Sequence, residues 1–270
     1  MSYIPKNKII VDEQKVIEEY NNGKSTSVLA KQFGYKTPKS INDLLRRNGV
    51  KPRTVLEGQH NRRGYNGLRL NIINSKLIAY YVGLLITDGY INEDSNTIEL
   101  TLEDEDVIKF LSESFNKRYT IIDRRKQHPN HKILYRITLH GHELIDDLKR
   151  YNIHQNKSFD VCKNMILNSS EMFYVPYILR GMIDGDGWIR KDGKEFYLCG
   201  ASIYSIVWAF NMFSQIGMQN LYINIKEQKE DYHEMYEIRT AISENIDILK
   251  NVIYDKPFGM MRKYNRIHCQ

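Results

Sequence analysis

Alanine is scarce in this chain, five among 270 residues, and cysteine (three), proline (six) and tryptophan (two) are hardly more frequent. The low alanine count fits AT-rich codons and says more about the genome than about the fold. Cys162, Cys199 and Cys269 stand apart without C-x-x-C spacing, which excludes a disulfide framework and a cysteine zinc finger and fits a reducing compartment. With 16 glycines and six prolines, collagen-like and linker-dominated architectures are excluded. No run approaches the ~18 apolar residues that a membrane span needs. No long apolar run follows Met1–Lys6 either, so no secretory signal is read and a cytoplasmic or organellar, non-secreted protein is expected. What is present, 41% hydrophobic and 27% charged residues, suffices for one large domain or two to three small ones.

Charge is unevenly spread. Residues 1–74 carry a net +8, whereas 75–157 and 158–270 each carry −1. A basic first segment on a nearly neutral body points to an arm that binds a polyanion.

Within that segment three short helices are expected. The first runs from Asp12 to Asn22, with Val16, Ile17 and Tyr20 on one face. The second starts near Ser25 and stops at Gly34. Thr37-Pro38 opens the third, Thr as N-cap and Pro at the first helical position, and Asn48-Gly49 closes it. Ile41, Leu44 and Leu45 would face inward, leaving Lys39, Asn42, Arg46 and Arg47 on the outer face. The pattern resembles a helix-turn-helix of the homeodomain-like type, so residues 1–50 are expected to bind DNA. A solvated helical bundle is the plainer alternative. Residues 51–74, with Arg53, Arg62 and Arg63, read as a basic linker along phosphates.

The rest of the chain is duplicated. Tyr81-Val-Gly-Leu-Leu-Ile-Thr-Asp-Gly-Tyr-Ile91 matches Leu179-Arg-Gly-Met-Ile-Asp-Gly-Asp-Gly-Trp-Ile189 at an offset of 98. Leu134–Leu139 matches Met235–Thr240 at an offset of 101, and Glu143, Ile145 and Asp146 match Glu244, Ile246 and Asp247. Each copy, 75–157 and 158–270, parses as αββαββα. Alternating strands need one covered and one open face. The open faces should carry Glu99, Thr101, Arg136 and Thr138 in one copy, and Tyr197, Asn224, Lys226 and Arg239 in the other. Base stacking is not expected, since the tyrosines fall mostly at core or sheet spacing.

Val82–Gly89 and Arg180–Gly187 resemble two copies of the LAGLIDADG motif, and the chain from 75 to about 267 resembles the two-motif, monomeric homing endonucleases. The resemblance implies an α+β fold in which the motif helices pack together and two sheets form a saddle on duplex DNA. Glycine inside a helix costs about 1 kcal/mol relative to alanine, and close helix contact at Gly83 and Gly181 would explain it. The resemblance further implies that Asp88 and Asp186 hold Mg²⁺, with Mn²⁺ able to substitute, aided by the carbonyls of Thr87 and Gly185. Carboxylates at helix C-termini call for such a cation. It implies hydrolysis of both strands of a long asymmetric site, leaving 5′-phosphates and 3′-hydroxyls. Lys157 and Lys263 are the lysines expected beside the carboxylates, with Lys256 as rival to Lys263. Arg124 and Lys126, at a strand end, and Arg190, after the second motif, complete the expected DNA contacts. Ile86 stands where the motif usually has its first acid, which Asp184 supplies in the second copy.

Other readings weigh less. A lone Asp-Gly after a helix is usually a turn, but pairing two copies removes that objection. His128, His131, His140 and His142 cluster in sequence without a nearby cysteine, and read as a hairpin rather than a metal site. A catalytically silent DNA-binding regulator and an RNA-binding intron maturase remain alternatives on the same fold. An intein is disfavoured, because Ile267-His-Cys-Gln270 lacks the His-Asn of splicing.

Overall fold

The computed structural model describes residues 12–54, 68–126, 128–226 and 233–268, and divides the chain into two compact units, 1–67 and 68–270. In the first unit, α1 (Glu13–Asn21), α2 (Thr26–Gln32) and α3 (Pro38–Arg47) enclose Val16, Tyr20, Leu29, Ala30, Ile41, Leu44 and Leu45. Asp12 and Ser25 cap α1 and α2 by accepting from Lys15 N and Val28 N. Thr37 makes no such bond to α3, although Pro38 does occupy its first turn. Arg53 was expected on phosphate. Instead it folds back, stacking 4.0 Å over the Tyr20 ring and donating to the Tyr20 and Lys24 carbonyls.

The second unit is α+β and holds the expected duplication. The first copy comprises α4 (Lys76–Thr87), β1 (Gly89–Asn92), β2 (Thr97–Leu102), α5 (Glu105–Ser114), β3 (Tyr119–Ile122), β4 (Leu134–His140) and α6 (His142–Leu148). The second comprises α7 (Val175–Asp186), β5 (Gly187–Ile189), β6 (Phe196–Gly200), α8 (Ile203–Gln215), β7 (Ile223–Lys226), β8 (Met235–Thr240) and α9 (Ser243–Ile248), which runs on as a π-helical turn to Ile253. Both sheets are antiparallel and have one order, β1-β2-β4-β3 and β5-β6-β8-β7. Alternation puts Ile98, Leu100, Ile137 and Leu139 under the helices of the first sheet, and Phe196, Leu198 and Ile238 under those of the second. No described helix is long and apolar enough to cross a membrane.

Two features lie outside the sequence expectation. A last helix, α10 (Met261–His268), follows the second copy. Residues 68–74, read as linker, belong to the second unit: Leu70 and Ile73 are buried. Their N–H groups donate to Asp147 (2.8 Å) and Glu171 (2.9 Å), and Arg69 pairs with Asp147 at 2.6 Å. Of the expected linker contacts, Arg62 and Arg63 lie outside the described residues.

Candidate nucleic-acid interface and carboxylate pair

Helices α4 and α7 are both enclosed, with residues 78–86 and 177–184 buried throughout; α4 is apolar on nearly every side, whereas α7 buries Arg180 and Asp184 as well. They touch backbone to backbone. A Cβ added to Gly83 would overlap Ile178 O and lie 2.9 Å from the Gly181 Cα. One added to Gly181 would overlap Tyr80 O, so neither position accepts a side chain. Gly89 and Gly187 are needed for a similar reason rather than for turn conformation. A Cβ there would stand 2.6 Å from Leu85 O and 2.5 Å from Ile183 O.

This packing brings the two helix ends together. Asp88 caps α4, and Asp186 is the last residue of α7. Gly185 abuts the Thr87 hydroxyl and the Asp88 carboxylate so closely that a Cβ would overlap both. Burial raises the Asp88 pKa, against the Thr87 hydroxyl and the charges of Lys157 and Lys263. Although Asp186 keeps contact with solvent, the protein packed round its carboxyl and then the Asp88 charge push it up to about 6. A carboxyl whose neighbour's charge raises its affinity for protons marks a site short of positive charge.

Two lysines flank the pair. Lys157, on a short 3₁₀ turn (Lys157–Phe159), is 6% exposed and donates to Thr87 O at 3.3 Å. Lys263, on α10, is 2% exposed and donates to Ile183 O (2.5 Å), Asp184 O (2.8 Å) and Gly187 O (2.6 Å). Burial lowers both, Lys263 to about 8. Lys256 is exposed, and its carbonyl accepts from Arg180 at 2.8 Å. A cavity of about 240 Å³ beside the pair is lined by Lys157, Asp186, Thr87, Cys199, Ser202 and Ser205, among others.

The motif's first acid has a different place. Asp184 is fully buried and accepts from the Tyr80 hydroxyl (2.8 Å), the Tyr254 hydroxyl (2.6 Å) and Met260 N (3.1 Å). It ties α7 to α4 and to the chain before α10, whereas Ile86 packs in the core.

The open sheet faces carry the expected polar residues, but their cations are already paired. Arg136 meets Glu99 at 3.2 Å and donates to Thr101 at 3.0 Å, with Thr138 opposite Glu99. Lys226 pairs with Glu237, which lies opposite Asn224. Arg239 pairs with Glu195, as does Arg190 at 3.2 Å. Arg124 and Lys126 are exposed beyond β3. Sequence reasoning missed the partners Glu195 and Glu237, whose positions depend on strand register. It also missed exposed aromatics at the duplicated positions after each Asp-Gly. Tyr90 and Trp188 both lie on open faces, and Trp188 stacks on Tyr197 at 5.1 Å between centroids. In the first unit, Lys39 is exposed, Asn42 is half-buried, and Arg46 and Arg47 pair with Asp43 and Glu13. His128 stacks on His131, His140 bonds Thr97 and His142 pairs with Asp146. Among the described residues no three His, Cys, Asp or Glu side chains gather into a metal cluster.

No family model and no curated protein matches this chain. Among solved structures it is similar to the homing endonuclease I-WcaI bound to its DNA recognition sequence, at 20% identity over 79% of this chain and 90% of that one, with a TM-score of 0.47. It is also similar to mesophilic variants of the homing endonuclease I-DmoI, at 14% identity over 66% and 95% of the two chains, TM-score 0.43. A third likeness is to the N-terminal LAGLIDADG domain of WhiA, at 14% identity over 67% and 83%, TM-score 0.43.

Proposed function

We propose that this chain is a site-specific DNA endonuclease of the LAGLIDADG type that cuts both strands as a monomer, with its first unit as a helix-turn-helix targeting module. The observation that carries the reading is the contact of two duplicated helix ends bearing Asp88 and Asp186, with a buried lysine beside each. A protein that only binds DNA has no use for paired carboxylates facing phosphates.

The donor set fits a hard divalent cation. Asp88 and Asp186 supply oxygen ligands, and the carbonyls of Thr87 and Gly185 adjoin them; Thr87 O shares only one lone pair with Lys157. When bound, Mg²⁺ or Mn²⁺ would lower the pKa of water and stabilise charge on the departing oxygen. The protein's own part is positional. Gly83 and Gly181 fix the spacing of the helix ends, Asp184 locks α7, and the lysines neutralise part of the carboxylate charge. In the net reaction the water oxygen joins phosphorus, the bond to the 3′-oxygen breaks, and that oxygen leaves carrying a proton from the water. The +8 of residues 1–74 supplies long-range attraction to the duplex, since the sheet-face cations must exchange carboxylate partners for phosphate.

Selection of cleaved duplexes from a randomised library with Mg²⁺ tests the reading. Recovery of one long asymmetric site is expected. Binding without cleavage of any duplex would leave a DNA-binding regulator on this fold.

A further inference from the structure

The two buried lysines flank the same carboxylate pair but differ in their bonds. An ammonium has three N–H donors. Lys263 commits all three to the carbonyls of Ile183, Asp184 and Gly187, which close the C-terminal turn of α7. Its helix is fixed from the other copy. Arg262 makes a two-pronged pair with Asp104 at 2.6 and 3.0 Å, and Met261 N donates to Asp106 at 2.8 Å. The Lys157 ammonium makes one hydrogen bond among the described residues, a 3.3 Å contact to Thr87 O. Its turn is held through Gln155, which exchanges two 3.2 Å bonds with Glu93. Two of its donors therefore have no acceptor among the described residues, and the residue lines the cavity that also holds Asp186, Ser202 and Ser205.

We infer that the lysines have parted in role: Lys157 donates directly to the substrate, whereas Lys263 is a positioning residue that holds the end of α7 and with it Asp186. This rests on the nuclease reading and makes the two strands chemically unequal. As water oxygen bonds to phosphorus and the bond to the 3′-oxygen breaks, negative charge gathers on the phosphoryl oxygens. A pre-placed N–H donor stabilises that charge, and removing one such donor slows reactions by about 100-fold to 1000-fold. Lys157 keeps its proton throughout. Lys263 could serve likewise only by giving up a bond to α7. The cavity adjoins Asp186 and β6 on one side of the carboxylate pair, so one phosphodiester alone gains from Lys157.

The test uses the full chain with Mg²⁺ on a duplex recovered by selection and labelled separately on its two strands. Wild type should cut one strand first and accumulate nicked duplex. Lys157→Met should slow that strand by about 100-fold and leave the melting temperature near wild type. Lys263→Met should slow both strands alike and lower the melting temperature by about 10 °C, since α7 loses a buried charged partner. Should that variant not fold, amine acylation of the folded wild type, read by mass spectrometry, gives the same comparison: Lys157 is modified well before Lys263. Equal reactivity of the two amines, or equal loss on both strands in both variants, would overturn the inference while leaving the nuclease reading standing. Wild type that cuts neither strand of any duplex would overturn both.

Discussion

Gly83 and Gly181 stand back to back, a Cβ on either falling 2.9 Å from the other's Cα. Alanine at either position gains about 1 kcal/mol in helix propensity, yet it would have to push two helix backbones apart. Overpacking typically costs about 1–3 kcal/mol, and a clash between two backbones lies at the upper end of that range. Gly83→Ala and Gly181→Ala should therefore destabilise the chain in urea denaturation, and the separated carboxylates should lose their function. Unchanged stability in either variant would contradict the backbone contact.

The crowded carboxylates give a second expectation. Asp88→Asn and Asp186→Asn should each abolish double-strand cleavage while leaving DNA affinity equal or higher, because repulsion toward phosphate is removed. Without divalent cation, each variant should melt higher than wild type. Mg²⁺ at a hundredfold excess over its dissociation constant should raise the wild-type melting temperature by roughly 5–10 °C, and the variants less. A normal cutting rate in either variant would refute the two-carboxylate mechanism.

The first unit should act as a separable electrostatic arm. Deletion of residues 1–67 should weaken binding, flatten its salt dependence and shorten the protected DNA on one flank, because phosphate contacts release counterions. Cleavage should persist at high protein concentration. Extending the deletion to 74 should also unfold the body partly, since burial of a side chain such as Leu70 or Ile73 is worth about 1.5–3 kcal/mol. An unchanged salt slope on deleting 1–67 would assign this unit to another partner.

Acid should loosen the body at two buried carboxylates. Burial by itself would raise Asp147 and Glu171, but Arg69 and Leu70 N–H outweigh it for the first. The N–H groups of Ile73 and Asn168, together with Arg150, do so for the second. Both therefore titrate below the usual range. A carboxyl lowered on folding adds stability above its unfolded pKa, near 4, and that stability is lost as pH falls through the folded value. Glu171→Gln should cost about 3 kcal/mol at pH 7 and show a shallower decline below pH 4, measured by urea melts across that range.

The duplication was legible because two motifs repeat at one spacing, and the pairing of Asp88 with Asp186 followed from it. The αββαββα order followed from alternation and periodicity. What could not be read was set by tertiary contact. Arg53 looked like a phosphate ligand until the Tyr20 ring was placed beside it. The carboxylate partners of Lys226 and Arg239 depend on which residues strand register and the β5–β6 turn bring near them. The burial of Lys263 depends on where α10, a short and mainly polar helix, packs, which only the tertiary contacts show. Asp184 looked like half of an acidic motif and is instead the acceptor of two tyrosines and a backbone N–H.

The joint between α10 and α5 bears on how the two copies came to depend on each other. Asp104 stands at the N-cap of α5 but makes no cap bond there, its carboxylate being given over to Arg262. At the matching offset the second copy has Ser202, which does cap α8, and Tyr204 in place of Asp106. A symmetric dimer assembled from two second copies would thus bring Arg262 against a serine and a tyrosine, with no carboxylate to grip. The second copy thus leans on a carboxylate grip that only the first provides.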